Sequence, residues 1–506
     1  MTKYVLGIDS GLTITKAALF DEQGRLAGVG RADVTRHEPL PRHVERDMEE
    51  HWLATCKAIA DALQAAGATG DDVAAIGMSG HGDGLYPLDR DSRPLGRAIL
   101  SLDGRAHEVV ERWQAEGRFP TMLAAMGQEV APSSPTAVLS WIKQHEPERY
   151  ARFGHLLYCK DWLRFRLTGS IATDRTEAST AFTNVQTQLY DPDVAALFDL
   201  PEVMERLPPA LEPTSIAGYV TEDAAQATGL RVGTPVAAGL HDVTATAVGI
   251  GVVEAGQLAL VAGTYCINEV ISSLPVIDRA WFCRNGFAPG TWMNMSISPA
   301  SSANIDWFVG QFCRDAAQTA KAQGVSVFQV LEPELAAAFA REGGIVYHPF
   351  LYGSPHAAVS SAAFMGVLGR HERGDLMRAL IEGVVFNHRT HVDALRRGFP
   401  LDRAALAGGG ARSPRIAQLF ADALNLPVVV PDAEEVGALG AAMCAGVAAG
   451  WFDHLSDAAA VCCRASSTYQ PEPAAAARLD LAYRRYIRSV GTVQGLWPSL
   501  NGSDAA

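Results

Sequence analysis

Gly7, Asp9, Gly11, Thr13 and Thr15 fall within one short stretch, Gly7-Ile8-Asp9-Ser10-Gly11-Leu12-Thr13-Ile14-Thr15. Their types suit a phosphate. Two glycines let the backbone approach an anion, the threonines add hydroxyl donors, and the Asp9 carboxylate can hold a magnesium ion through water. Hairpins also carry Asp and Gly for turn geometry alone, so the stretch has two readings by itself. A second group, Ser79-Gly80-His81-Gly82-Asp83-Gly84, sets three glycines around a histidine and an acid. Either a ligand approaches this backbone or it is a solvated turn. Asp103 and Arg105 follow a strand-like run, at the end where ligands bind in α/β proteins, or they form a local surface salt bridge. Gly408-Gly409-Gly410-Ala411 runs into Ser413-Pro414, an N-cap and first helical residue, leaving backbone N–H groups free for an anion or a nucleotide. Four small residues in a row exceed what an ordinary turn needs.

The surrounding patterns place these residues. Tyr4 to Ser10 and Ile14 to Phe20 alternate as half-buried strands, and a third strand near Arg25 to Val29 completes an antiparallel start. Met48, Trp52, Cys56, Ile59 and Leu63 recur at helical spacing between Arg46 and Ala66, with Gly67 as the stop. Val73 to Met78 and Arg97 to Leu100 read as strands, as does Thr234 to Leu240, which leads into His241-Asp242 and a small-residue helix through Gly251. Gln257 to Ala262, Gly263-Thr264 and Tyr265 to Val270 repeat the opening plan of strand, turn and strand, which suggests two related halves with a cleft between them. Ala404 to Ala407 is a further strand and Ser413 to Leu424 a helix. The Gly- and Ala-rich run from Val436 to Ala449 is about 14 residues, too short to span a bilayer, and reads as a helix pressed against another backbone.

Composition narrows the class. A chain of 506 residues exceeds one core and predicts two domains. A net charge of −14 with no basic block argues against nucleic acid or an anionic membrane as partner. Met1-Thr2-Lys3-Tyr4 leads directly into a strand without an apolar targeting core, and the eight cysteines form no Cys-x-x-Cys pair. Both features predict a cytoplasmic protein with reduced thiols.

Taken in order, the motifs resemble the FGGY family of carbohydrate kinases, within the actin, hexokinase and heat-shock-70 ATPase (ASKHA) superfamily. They are Gly7-Ile8-Asp9-Ser10-Gly11, Gly80 with Asp103 and Arg105, Gly239-Leu240-His241-Asp242, Gly263-Thr264, and Gly408-Gly409-Gly410-Ala411. Trp141 to Pro147, Lys160-Asp161-Trp162 with Leu167-Thr168-Gly169, and Thr173-Asp174 with Ala178-Ser179 look like scaffold segments. The resemblance implies two actin-like, ribonuclease H-like α/β domains flanking a catalytic cleft. Residues 1–245 would bind sugar and carry the base, 246–455 would bind ATP, and 456–506 would form a helical tail whose Tyr483, Tyr486 and Ile487 face could pack back on the first domain. It implies transfer of the γ-phosphoryl group of ATP to a sugar hydroxyl, with Asp242 as the base and Asp9 orienting Mg2+. Asp242 could equally cap the helix that follows it. Gly11, Thr13, Gly263 and Thr264 would hold the phosphate chain, Gly409, Gly410 and Ala411 would pass under the adenosine, and Gly80, His81, Asp83, Asp103 and Arg105 would line the acceptor pocket.

The chain departs from the family pattern at Leu12, where Thr is common, at Gly353-Ser354-Pro355, where a charged pair is common, and at Tyr265, where a small residue is common. Within the family it is most similar to L-xylulose kinase-like members, through Ala98-Ile99-Leu100-Ser101, Arg112-Trp113-Gln114 and His145 to Tyr150. The Gly82-Asp83-Gly84 loop instead resembles erythritol and related sugar-alcohol kinases. A pentulose such as L-xylulose is therefore the expected acceptor and a short polyol the alternative; a homodimer is left open. A sugar-responsive regulator on the same fold is the non-enzymatic alternative, but the chain shows no helix-turn-helix or basic arm.

Overall fold

The structure, a computed structural model, describes residues 3–357 and 359–500. It divides into two compact units, neither contiguous in sequence. The first holds the chain up to Ala255 together with Ile271–Asn294 and Asp432–Arg464; the second holds Gly256–Val270, Met295–Pro431 and the chain from Ala465. The sequence led instead to contiguous segments at 1–245, 246–455 and 456–506. No helix among the described residues is long and apolar enough to cross a membrane.

In the first unit the strands run in the order Ile216–Tyr219, Pro235–Ala237, Val73–Gly80, Tyr4–Ser10, Ile14–Phe20, Leu26–Asp33, and Leu240–His241 also pairs with Val73–Gly80. The opening three strands are antiparallel, as their alternation predicts, while Val73–Gly80 joins Tyr4–Ser10 in parallel. One face is covered by the helix Met48–Ala66, capped by Asp47 at its start and by left-handed Gly67 at its end. Its buried stripe of Met48, Trp52, Cys56, Ile59 and Leu63 packs with Leu6, Ile8 and Leu19. The other face takes the helix Val436–Ala448, whose approach is close enough that a Cβ on Gly7 would lie 1.9 Å from the Ala438 carbonyl oxygen and one on Gly77 1.8 Å from that of Ala441. The small residues of this helix are there for backbone contact, and that contact draws Asp432–Arg464 into the first unit.

The expected strand from Thr234 to Leu240 is broken into Pro235–Ala237 and Leu240–His241. Gly239 makes the break at φ 88°, a left-handed backbone, where a Cβ would sit 2.1 Å from the Met78 carbonyl oxygen.

The second unit repeats the plan. Gln257–Ala262 and Cys266–Ser272 form an antiparallel hairpin, and Arg403–Gly408 lies parallel to the first of these strands, followed in the sheet by Val428–Pro431 and Ala465–Tyr469. The tail helix Pro473–Val493 belongs to this unit: Leu479, Tyr486 and Val490 are buried, Arg389 pairs with Asp480 at 2.6 Å, and His348 meets Ser489 at 2.8 Å. The segment 501–506 lies outside the described residues.

Candidate active site

Strand register brings the acids of the first unit to one edge. Asp9 is opposite Ser79, and Leu240 and His241 are opposite Ser79 and Gly80, so Asp9, the loop from His81 and the start of the helix Asp242–Gly249 share the carboxyl ends of parallel strands. Asp242 is the first residue of that helix, and its Oδ1 accepts from the Val243 N–H at 2.7 Å. It therefore takes a helix N–H as well as facing the site, with 34% of its side chain open. Burial pushes its carboxyl up to about 7, with help from the charges of Asp9 and Asp83, against the Val243 hydrogen bond. Asp9 is also raised by burial, restrained by the Lys16 charge and by Ser79, whose Oγ donates to Asp9 Oδ1 at 3.0 Å.

Asp83 adopts φ 57° and receives Arg284 Nη2 at 3.1 Å. Arg284 is buried and makes three contacts at once: its Nη1 meets His241 Nε2 at 3.2 Å and its Nε donates to Gln128 Oε1 at 2.7 Å. Arg284 and Gln128 had no readable motif; the only signal was one arginine after the apolar run Trp281-Phe282-Cys283, a charge rarely placed among buried neighbours without a partner. His81 is buried against Tyr86 at 3.0 Å, and burial lowers its imidazole to about 3, which keeps it neutral.

Three expected pocket residues do other work. Gly80 is packed on the helix start at Cys159 and Lys160, where a Cβ would meet the Cys159 sulfur and the Lys160 nitrogen at 3.0 Å. Gly82 is the glycine the site requires, since a Cβ there would fall 1.7 Å from His241 Nε2. Asp103 and Arg105 form a fully buried pair. Asp103 accepts from the Val44 and Arg105 backbone N–H groups and twice from the Arg105 guanidinium, and Arg105 also reaches Glu45 at 2.8 Å. Their polar groups hold one another and the Val44–Glu45 segment.

Gly11 and Thr13 lie at the tip of the opening hairpin, where buried Arg46 donates to the Gly11 carbonyl at 3.3 Å and to that of Leu12; the Thr13 side chain is exposed. In the second unit, Ala262 is opposite both Cys266 and Gly408, so the Gly263–Thr264 turn and the glycine loop share one sheet edge. Thr264 is exposed, and the Gly263 carbonyl is held by Ser302 through its N–H at 2.9 Å and its hydroxyl at 2.6 Å. Gly409, Gly410 and Ala411 form a short 3-10 turn leading to the Ser413-capped helix Pro414–Leu424. Gly410 borders a small hollow whose walls include Ala262, Ile305, Val385, Ile416 and Phe420.

Comparison with known proteins accords with this architecture. Residues 4–249 match the N-terminal domain, and residues 258–449 the C-terminal domain, of the FGGY family of carbohydrate kinases. The chain is 34% identical over 503 residues to the L-xylulose/3-keto-L-gulonate kinase of Escherichia coli, covering 98% of each chain. It is 31% identical over 472 residues to the erythritol kinase of Brucella abortus, covering 90% of this chain and 89% of that one. Among solved structures, the xylulose kinase from Rhodospirillum rubrum superposes with a TM-score of 0.86 at 28% identity, over 98% of this chain and all of that one.

Proposed function

Because this chain belongs to the FGGY family of carbohydrate kinases, we propose that it transfers the γ-phosphoryl group of ATP to a hydroxyl of a pentulose such as L-xylulose. What supports the mechanism is the environment of Asp242, a carboxylate at the start of its helix, raised by burial and set beside Asp83, Arg284 and His241. An alcohol is a poor nucleophile at pH 7, and a carboxylate with this affinity for a proton can accept one as the bond to phosphorus forms. Asp83 accepts from acceptor hydroxyls and Arg284 donates to them, while the low proton affinity of His241 leaves its charge state fixed.

The residues present fit magnesium. The half-buried Asp9 carboxylate, held by Ser79, suits an ion that keeps most of its waters and takes phosphate oxygens as its other ligands. When bound, the ion would offset the negative charge of the phosphate chain. Gly263 and Thr264 would approach the phosphates and the Gly409–Ala411 turn the adenosine; Gly11 and Thr13 would offer backbone and hydroxyl donors.

A short sugar alcohol is the second reading, favoured by the Gly82-Asp83-Gly84 loop and by the likeness to an erythritol kinase. A coupled assay of ADP release with ATP, magnesium and both hands of the pentuloses, tetruloses and four- to six-carbon polyols separates the two. Turnover confined to a pentulose supports the first, turnover confined to a polyol the second, and ATP binding without turnover on any acceptor would overturn both.

A further inference from the structure

Thr176 lies one residue inside a short buried turn, Asp174–Ser179, and from that turn three hydrogen bonds leave for three different parts of the acceptor site. The Thr176 hydroxyl accepts the backbone N–H of His241 at 2.9 Å, directly before Asp242. The Arg175 carbonyl accepts from Asn285 Nδ2 at 3.1 Å, directly after Arg284. The Ser179 carbonyl accepts from Gln128 Nε2 at 2.8 Å, which orients the Gln128 oxygen onto Arg284. Five of the turn's residues, Asp174, Thr176, Glu177, Ala178 and Ser179, are almost wholly excluded from solvent.

The turn is itself anchored by charge. Asp174 Oδ1 accepts from the Thr176 N–H at 2.7 Å and from its hydroxyl, which leaves a Thr176 lone pair for His241. Lys160 Nζ, completely buried, lies 2.6 Å from Asp174 Oδ2 and 2.7 Å from Asp161 Oδ1. Arg164 joins Asp161 at 3.1 Å and donates to the Ala238 carbonyl at 2.7 Å, gripping the same segment that launches Asp242 from its other end. A buried ionic cluster is costly to assemble and contributes little net stability, so its retention calls for a use in fixing geometry.

We propose that the Asp174–Ser179 turn is the positioning hub of the acceptor site, with Thr176 setting the placement of Asp242 and the turn's carbonyls setting that of Arg284 and Gln128. This rests on the reading of Asp242 as the base. The hub explains why Lys160-Asp161 and Thr173-Asp174, which offer nothing to a ligand directly, belong with the chemistry. Displacing a reacting group by about 1 Å can cost on the order of 100-fold in rate, so a hydroxyl with no contact to substrate can still govern turnover.

The test uses the full chain with its best acceptor. Thr176→Val keeps the shape and removes the hydroxyl; it is expected to lower kcat by about 100-fold while leaving the KM for ATP unchanged. Thr176→Ser, which restores the hydroxyl, is expected to recover most of that loss, a rescue that a packing role would not give. Asn285→Ala is expected to raise the acceptor KM by about tenfold with a smaller change in kcat. A folded Thr176→Val enzyme with wild-type kcat, or a Thr176→Ser enzyme as impaired as the valine variant, overturns the proposal. If Thr176→Val fails to fold, an Asn285→Ala enzyme with unchanged acceptor KM overturns it instead. Asp242→Asn run in parallel separates the two readings: full turnover there removes the base assignment and the hub with it, whereas its loss beside a fully active Thr176→Val enzyme removes the hub alone.

Discussion

Arg284 Nη1 lies 3.2 Å from His241 Nε2, and a guanidinium can only donate, so the imidazole proton must sit on Nδ1. That nitrogen is 3.4 Å from Asp242 Oδ1. One arginine thus holds Asp83 and sets the tautomer of His241 beside the carboxylate assigned as base. Burial and the Arg284 charge together keep His241 neutral, so it adds no full positive charge beside Asp242.

Arg284→Met should therefore raise the acceptor KM and lower kcat together, with ATP binding retained. Asp83→Asn should act on the same pair, and the double variant should be less impaired than the sum of the single ones, because residues in direct contact are not additive. Steady-state kinetics of the three variants measure the coupling; strict additivity would show that the two side chains act separately.

Asp242→Asn should leave the fold and ATP binding intact and reduce kcat by about 10²- to 10⁴-fold, the usual contribution of a general base. Isothermal titration with ATP alongside the turnover assay checks both halves. Unchanged turnover would remove Asp242 from its role.

The proton affinity of Asp242 predicts a pH profile. A base works only when deprotonated, so with its carboxyl pushed up to about 7 the acceptor kcat/KM should level off above that value and fall about tenfold per pH unit below it. An ordinary exposed carboxylate would put the midpoint near 4. A rate profile between pH 5 and 9 distinguishes them.

Asp103→Ala should act mainly on stability. Its partner Arg105 would keep only Glu45 as a carboxylate, a loss costing up to about 3–5 kcal/mol, and the melting temperature should drop accordingly. Had Asp103 lined the pocket, the acceptor KM would rise with little change in melting. Thermal denaturation and acceptor KM on the same variant decide between the two.

Two glycines should respond in opposite ways. Gly77→Ala would drive a methyl group to within 1.8 Å of the Ala441 carbonyl oxygen and should destabilise the chain by roughly 1–3 kcal/mol or more. Gly409→Ala meets no atom within 4 Å, so it should melt like the parent while raising the KM for ATP if that loop approaches the nucleotide.

What the sequence determined by itself were features that reside in short stretches. The opening hairpin, the helix Met48–Ala66, the glycine loop before Pro414 and the two-half plan were legible because turn chemistry, caps and periodicity are local. Asp9 and Asp242 were legible as acids beside turns at strand ends. The tertiary structure alone decided what depends on distant segments meeting. Arg284 lies 201 residues from Asp83 and could not be paired with it by any spacing rule. Asp103 and Arg105, two residues apart, read in sequence as ligands or as a surface salt bridge, and the structure makes them a buried pair that also reaches Glu45. Gly82 had no separate signal in the sequence, yet the imidazole of His241 fills the space where a Cβ on it would stand. The chain likewise cannot announce that Asp432–Arg464 returns to the first unit, because that placement is made by carbonyls of one helix resting on glycines of strands more than 350 residues earlier, a fit that exists only once both backbones are in place.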